Sequence, residues 1–206
     1  MKTLFILVAI LHCSILHAEE KPLPKECLTE CTTPFGQELG HTTNKVIAYS
    51  NCQAHCVYPS PVEKDGIFLG IKWQCVEFAR RWLFTEFGMS FPSIDFAYEF
   101  WGKIDHLVAV AEKKDVPLEK HLNGDLAIPE RGDILLYGQD LAGTGHIAII
   151  LRVDRRKKEI YIGEENLENK AWPSDYARKV SYVEVKGKNW ILDPYLIGWK
   201  SFKKPR

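Results

Sequence analysis

Gly70-Ile71-Lys72-Trp73-Gln74-Cys75-Val76-Glu77-Phe78-Ala79-Arg80-Arg81-Trp82 is the stretch on which the reading of this chain turns. It places a cysteine where a loop becomes an amphipathic helix. Val76, Ala79, Trp82, Leu83 and Phe87 follow at helical spacing, and Gly88 supplies a stop signal. A thiol in the first helical turn faces unpaired backbone N–H groups and the positive end of the helix dipole, and both favour thiolate. Free cysteine has a pKa of roughly 8.5, which such a position with a cationic neighbour can lower by several units. Cys75 is therefore a candidate nucleophile, with a small buried core residue as the plainer alternative.

A nucleophile of this kind needs a base. The run Thr144-Gly145-His146-Ile147-Ala148-Ile149-Ile150-Leu151 sets His146 after a glycine-flanked turn, at the first position of an apolar, β-branched strand. The next strand, from Glu159 to Asn166, alternates so that Glu164 and Asn166 share one face and Glu165 takes the other. Two adjacent strands ending in His146 and Glu164 can join imidazole to carboxylate, which then holds one tautomer. Each residue also has a bland reading: a hydrogen-bonded strand-end histidine, a solvated surface carboxylate, a turn asparagine.

The segment from Lys72 to Trp82 resembles the nucleophile segment of the CHAP family, the cysteine, histidine-dependent amidohydrolases and peptidases. Within that family it looks most like the amidase domain of glutathionylspermidine and trypanothione synthetases. Further matches follow in order. They are Phe35-Gly36-Gln37, Ile47-Ala48-Tyr49-Ser50-Asn51, Arg131-Gly132-Asp133-Ile134-Leu135, Gly145-His146-Ile147-Ala148, Glu164-Glu165-Asn166 and Ile197-Gly198-Trp199. The resemblance spans about residues 34–202. It implies Cys75 as nucleophile, His146 as general base and then acid, and Glu164 as the group orienting His146. Arg80 matches an arginine that helps bind substrate in the related amidases, and an ion pair with Glu77 or a distant carboxylate is the equal alternative. Asn166 is a candidate substrate contact. The oxyanion is expected on the Cys75 backbone N–H, with Gln74 as a candidate second donor. No metal and no organic cofactor is expected.

The first residues carry a different message. Residues 1–18 have an early lysine, an apolar run from Leu4 to Leu16 and a small Ala18 before Glu19-Glu20, the form of a secretory signal peptide. The run is shorter than the ~20 residues a membrane-spanning helix needs. An uncleaved anchor is the alternative, but the expectation is a secreted, extracellular or endomembrane-lumen protein with no membrane contact after cleavage. Cys13 would leave with the leader. Cys27, Cys31, Cys52 and Cys56 then form two Cys-x-x-x-Cys pairs, and Cys75 is left over. Bridging within a pair is geometrically awkward, so cross-links between pairs are favoured: Cys27–Cys56 with Cys31–Cys52, or Cys27–Cys52 with Cys31–Cys56. The first pairing is the expectation. Zinc, with His41 and His55 nearby, is the rival reading.

Twenty-seven basic and 27 acidic residues cancel, with no basic stripe, so a nucleic-acid partner is not expected. The organisation read from the sequence is a signal peptide over 1–18, a cysteine-containing lead over 19–33 and a CHAP amidase/peptidase domain over 34–206, acting as a monomer. Short strands are expected between Phe35 and Tyr58, and a loop from Pro59 to Leu69. A second helix is expected from Ser93, carrying Phe96, Phe100, Trp101, Ile104, Leu107 and Val108. Glu112 to Pro129 reads as a polar connection. Strands are expected at Asp133–Tyr137, His146–Val153, Glu159–Glu164, Val180–Val185, Asn189–Leu192 and Leu196–Phe202, with a turn at Lys186-Gly187-Lys188. Helices followed by an antiparallel sheet make an α+β protein, and the resemblance implies the papain-like CHAP fold with the catalytic helix packed on the sheet.

The function these readings imply is hydrolysis of an amide through a Cys75 thioester, on a peptide or small amide substrate. Secretion of a stand-alone domain points to a bacterial cell-wall (peptidoglycan-type) peptide such as a D-alanyl-glycyl bond. A glutathionylspermidine-type thiol-polyamine amide is the alternative, and a non-catalytic wall-binding module is the alternative of another class.

Overall fold

The computed structural model describes residues 21–205, so the leader read over 1–18 lies outside the described residues. A 3-10 turn at Lys25–Cys27 is followed by β1 (Glu38–His41), β2 (Ile47–Tyr49), β3 (Pro61–Lys64) and β4 (Ile67–Ile71). Next come α1 (Cys75–Phe87), β5 (Met89–Ser90), a 3-10 turn at Ala97–Glu99, α2 (Phe100–Lys103), β6 (His106–Ala109) and β7 (Lys114–Leu122). The remainder is β8 (Ile134–Tyr137), β9 (His146–Asp154), β10 (Glu159–Gly163), β11 (Arg178–Val185), β12 (Lys188–Ile191) and β13 (Leu196–Phe202). Nine strands form one sheet in the order β12-β11-β10-β9-β8-β13-β7-β6-β5, and every neighbouring pair is antiparallel. The architecture is α+β, with α1 packed on this sheet, and is consistent with the papain-like CHAP fold.

The central strands explain the packing. Ile134 and Leu136 of β8 and Ile147 and Ile149 of β9 meet Phe78, Ala79, Trp82 and Leu83 of α1 in one core. Their alternates Leu135, Tyr137, Ala148 and Ile150 join Ile160, Ile162, Tyr182 and Trp199 in a second core on the opposite face. Residues buried on both faces produce the continuous apolar runs seen in the sequence. Gly88 ends α1 in the left-handed region, and its N–H returns to the Leu83 and Phe84 carbonyls, as the stop signal implied. The Lys186-Gly187 turn joins β11 to β12, where Val185 pairs Lys188.

Three expectations need correction. The segment 59–69 is not a loop: Lys64 pairs Ile67 across Asp65-Gly66, whose φ values of 53° and 75° suit a tight two-residue hairpin turn. The helix expected from Ser93 shrinks to a 3-10 turn and the four residues of α2. Leu107 and Val108 instead lie in β6 and point to opposite faces of it, Leu107 being the buried one, and β5 and β7 offer pairing partners. Buried Lys200 closes α2, its Nζ donating to the carbonyls of Phe100 (3.0 Å) and Ile104. Finally, Glu112–Pro129 is not only a connection. It contains β7, inserted between β6 and β13, whose Val116 and Leu118 face the core while charged residues face water.

The early cysteines are cross-linked as Cys27–Cys56 and Cys31–Cys52, and Cys75 is a free, buried cysteine. The zinc alternative would have needed those four thiols.

Candidate active site

Cys75 opens α1. Gln74, at the N-cap, is extended (φ −94°, ψ 151°), so the backbone turns into the helix at the thiol itself. His146 opens β9, delivered by Gly145 at φ 69°. A Cβ at Gly145 would stand 2.8 Å from the Tyr98 nitrogen and 2.9 Å from the Tyr137 carbonyl oxygen, so this approach admits only glycine. Glu164 follows the last residue of β10, where Gly163 pairs Ile149 of β9. The three side chains predicted from separate motifs thus meet at one point.

His146 Nε2 lies 3.0 Å from Glu164 Oε2, which leaves Nδ1 for Cys75, the other hydrogen-bond partner of the imidazole. Histidine and glutamate are 2% and 5% exposed, so neither charge is diluted by solvent. Burial pushes the Cys75 thiol up, but the His146 charge and hydrogen bond, with the Ile147 and Val76 N–H groups, outweigh it and the net shift is downward. Burial disfavours the imidazolium, yet Cys75 and Glu164 together raise His146 to about 9. Burial likewise opposes ionisation of Glu164, and His146 and Arg178 overcome it, bringing the carboxyl to about 2. The arrangement favours a thiolate–imidazolium pair backed by a carboxylate.

A cleft of about 470 Å³ opens on Cys75 and His146. Its walls are largely apolar: Val57, Phe68, Ile71, Ile94, Phe96 and Leu141 line it. Gln74 and Asn166 also line it, but their amides serve one another: Asn166 Nδ2 donates to Gln74 Oε1 at 2.8 Å. Gln74 Nε2 donates to Asn51 Oδ1 (3.3 Å) and the Cys56 carbonyl (3.2 Å), and Asn51 Nδ2 donates back to Asn166 Oδ1 at 3.0 Å. This amide cluster braces the helix entrance against the disulfide-bonded Cys56. Arg80 also lines the cleft, with its guanidinium donating to the carbonyls of Phe91 (3.1 Å), Leu69 (3.3 Å) and Pro92 (2.8 Å). Glu77 pairs with Arg81, not Arg80, and Arg81 also reaches Glu165 at 2.8 Å.

Sequence reasoning missed Arg178, which donates to both oxygens of Glu164, Nε to Oε1 at 2.6 Å and Nη2 to Oε2 at 3.2 Å. In the sequence it stands beside Lys179, just before the strand expected from Val180, with nothing to distinguish it from a solvated charge. Nothing in its spacing links it to Glu164, because the contact arises across the β10–β11 ladder, where Arg178 pairs Ile162.

Residues 66–166 match the family model of the CHAP domain. The matched segment takes in Cys75, His146 and Glu164 and marks this part of the chain as a CHAP domain, related to the amidase domains of glutathionylspermidine and trypanothione synthetases. Among particular proteins the chain is similar to the bifunctional glutathionylspermidine synthetase/amidase of Escherichia coli (strain K12), 31% identical over 187 residues, 83% of this chain and 30% of that protein. It is also similar to the trypanothione synthetase of Crithidia fasciculata, 29% identical over 177 residues, 82% of this chain and 27% of that protein. The chain therefore spans less than a third of the length of these relatives.

Proposed function

We propose that this protein hydrolyses a carboxamide through a thioester on Cys75, and the observation carrying this is His146 held between Cys75 and the buried Glu164. The Cys75 thiolate adds to the amide carbonyl. The C–N bond breaks as protonated His146 gives its proton to the leaving amine, and the acyl group stays on sulfur. Neutral His146 then takes a proton from water, whose oxygen attacks the thioester. The acid departs and thiolate and imidazolium are restored. Glu164 accepts from Nε2 throughout, keeping Nδ1 aimed at sulfur. The Cys75 N–H at the helix start is the candidate donor to the oxyanion. Gln74 Nε2 already has two acceptors, so it serves that role only by leaving one of them.

The substrate we propose is a peptidoglycan-type peptide, with cleavage at a bond such as D-alanyl-glycine. The apolar walls suit small neutral side chains, and the two disulfides with the leader-like residues 1–18 support a secreted protein working in an oxidising compartment. The relatives favour a second reading, an amide of the glutathionylspermidine type, because the one from Escherichia coli is named as its synthetase/amidase. Incubation with purified peptidoglycan and, separately, with glutathionylspermidine, read by mass spectrometry, tests both. New amino termini from the wall polymer are expected. Release of spermidine alone would move the assignment to the second reading, and no turnover of either by folded protein would favour a wall-binding module.

A further inference from the structure

We propose that Arg178 is a positioning residue for the hydrolytic site: it grips Glu164 from the side opposite His146 and fixes the carboxylate that orients the imidazole. The inference rests on the proposed Cys75–His146–Glu164 chemistry. A glutamate carboxylate rotates broadly about its last torsion, so a single hydrogen bond to His146 leaves its plane undefined. Arg178 removes that freedom, because Nε holds Oε1 at 2.6 Å while Nη2 holds Oε2 at 3.2 Å. Two-point contact from a planar fork sets the carboxylate plane as well as its distance.

The guanidinium is itself immobilised. Nη1 donates to Asp193 Oδ2 at 2.8 Å and Nη2 to Tyr137 Oη at 2.9 Å, while the Tyr137 hydroxyl donates to the same Asp193 oxygen at 2.7 Å. The Tyr137 ring also lies 5.5 Å from that of His146. One cation thus faces two carboxylates, Glu164 and Asp193, which leaves one net negative charge for an imidazolium to balance. The groups facing His146 are Cys75 from α1, Tyr137 from β8 and Glu164 after β10. Those facing Arg178 are Glu164, Asp193 and Tyr137.

Arg178 acts through Glu164 and not on substrate. It lines a second cavity of about 240 Å³, together with Glu164, Glu165, Asn169 and Trp172, which adjoins the Cys75 cleft at Asn166 and Leu167. It is absent from the residues lining the Cys75 cleft. A merely structural tie between β11 and the segment after β12 is the competing account.

The test compares Arg178→Met and Arg178→Lys with wild type in kcat, KM and the pH at which Cys75 ionises, followed by the ultraviolet absorbance of the thiolate with Cys75→Ala as blank. Arg178→Met is expected to lose about tenfold or more in kcat, the scale of one charge-assisted hydrogen bond, with KM within about threefold. Its thiolate should appear at higher pH, because a misaimed Glu164 supports the imidazolium less well. Arg178→Lys, which keeps the charge and loses the fork, should recover part of both. A folded Arg178→Met with wild-type kcat and titration would overturn the proposal, as would losses in the two variants that follow melting temperature alone. If Arg178→Met does not fold, Arg178→Lys decides: a reduced kcat with a displaced titration supports the role, and wild-type behaviour overturns it. The titration needs no substrate, so failure of the wild type to cleave either amide would count against the proposed function and leave the Arg178 comparison standing.

Discussion

Glu164 is 5% exposed, and burial alone would hold its carboxyl protonated above the ordinary carboxylate range. The hydrogen bond and charge of His146, then Arg178, reverse this and bring it to about 2. Because the folded value is depressed, its contribution to stability is present above its ordinary value of 4.5 and is lost as pH falls toward about 2. His146 behaves oppositely. Its folded value is raised to about 9, so its contribution is complete below 6.5 and disappears as pH rises through about 9. Hydrolysis needs the imidazolium, so the rate should fall over that same alkaline limb. Thermal melts and rates across pH check both limbs, and a rate still rising above that range would contradict the assignment of His146. Glu164→Gln keeps an oxygen that accepts from the imidazole and should retain partial activity. Glu164→Ala should lose roughly ten- to hundredfold in kcat, since a charge-assisted hydrogen bond typically contributes about 1.5–3 kcal/mol. At this scale the sequence was readable wherever chemistry and local position coincide: Cys75 at a helix start, His146 at a strand start. Arg178 was not readable, because its role depends on a partner fourteen residues away that faces it only once β10 and β11 pair.

Gly145 shows how an element delivers a side chain. It sits at φ 69° between Thr144 and His146, and a Cβ there would collide with the Tyr98 nitrogen and the Tyr137 carbonyl. Gly145→Ala should shift the start of β9, cost about 1–3 kcal/mol in backbone strain and lower kcat far more than KM. Chemical denaturation with steady-state kinetics measures the two effects, and a variant with wild-type kcat would show that the turn does not aim His146. The half-buried Arg81 does the same for α1: it joins Glu77 of the helix to Glu165 beyond β10, and Glu165 also accepts from the Tyr49 N–H at 2.6 Å. The strands flanking the site were legible because their apolar runs are buried on both faces. β7 was hidden because only one face is buried, so Val116 and Leu118 are outnumbered by charges. The short α2 was overextended because apolar residues from Phe96 to Val108 fit helical spacing, although their last members belong to β6.

Across the whole molecule, the disulfides and the cleft are joined. Cys56, bridged to Cys27, offers its carbonyl to Asn51 Nδ2 (2.8 Å) and Gln74 Nε2 (3.2 Å), so the cross-linked lead buttresses the start of the catalytic helix. The bridges close sequence separations of 29 and 21 residues, and each is expected to contribute about 2–4 kcal/mol. Mild reduction should therefore lower the melting temperature, read by circular dichroism, while Cys75 chemistry persists below it. An unchanged melting temperature after confirmed reduction would remove the bridges from the stability account. The central claim, a Cys75 thiolate sustained by His146, is tested most directly by mapping iodoacetamide label on the unreduced, folded protein at neutral pH. The account expects one modified thiol, at Cys75, formed much more slowly in His146→Ala. A Cys75 that reacts no faster than an ordinary thiol, or at the same rate without His146, would contradict it.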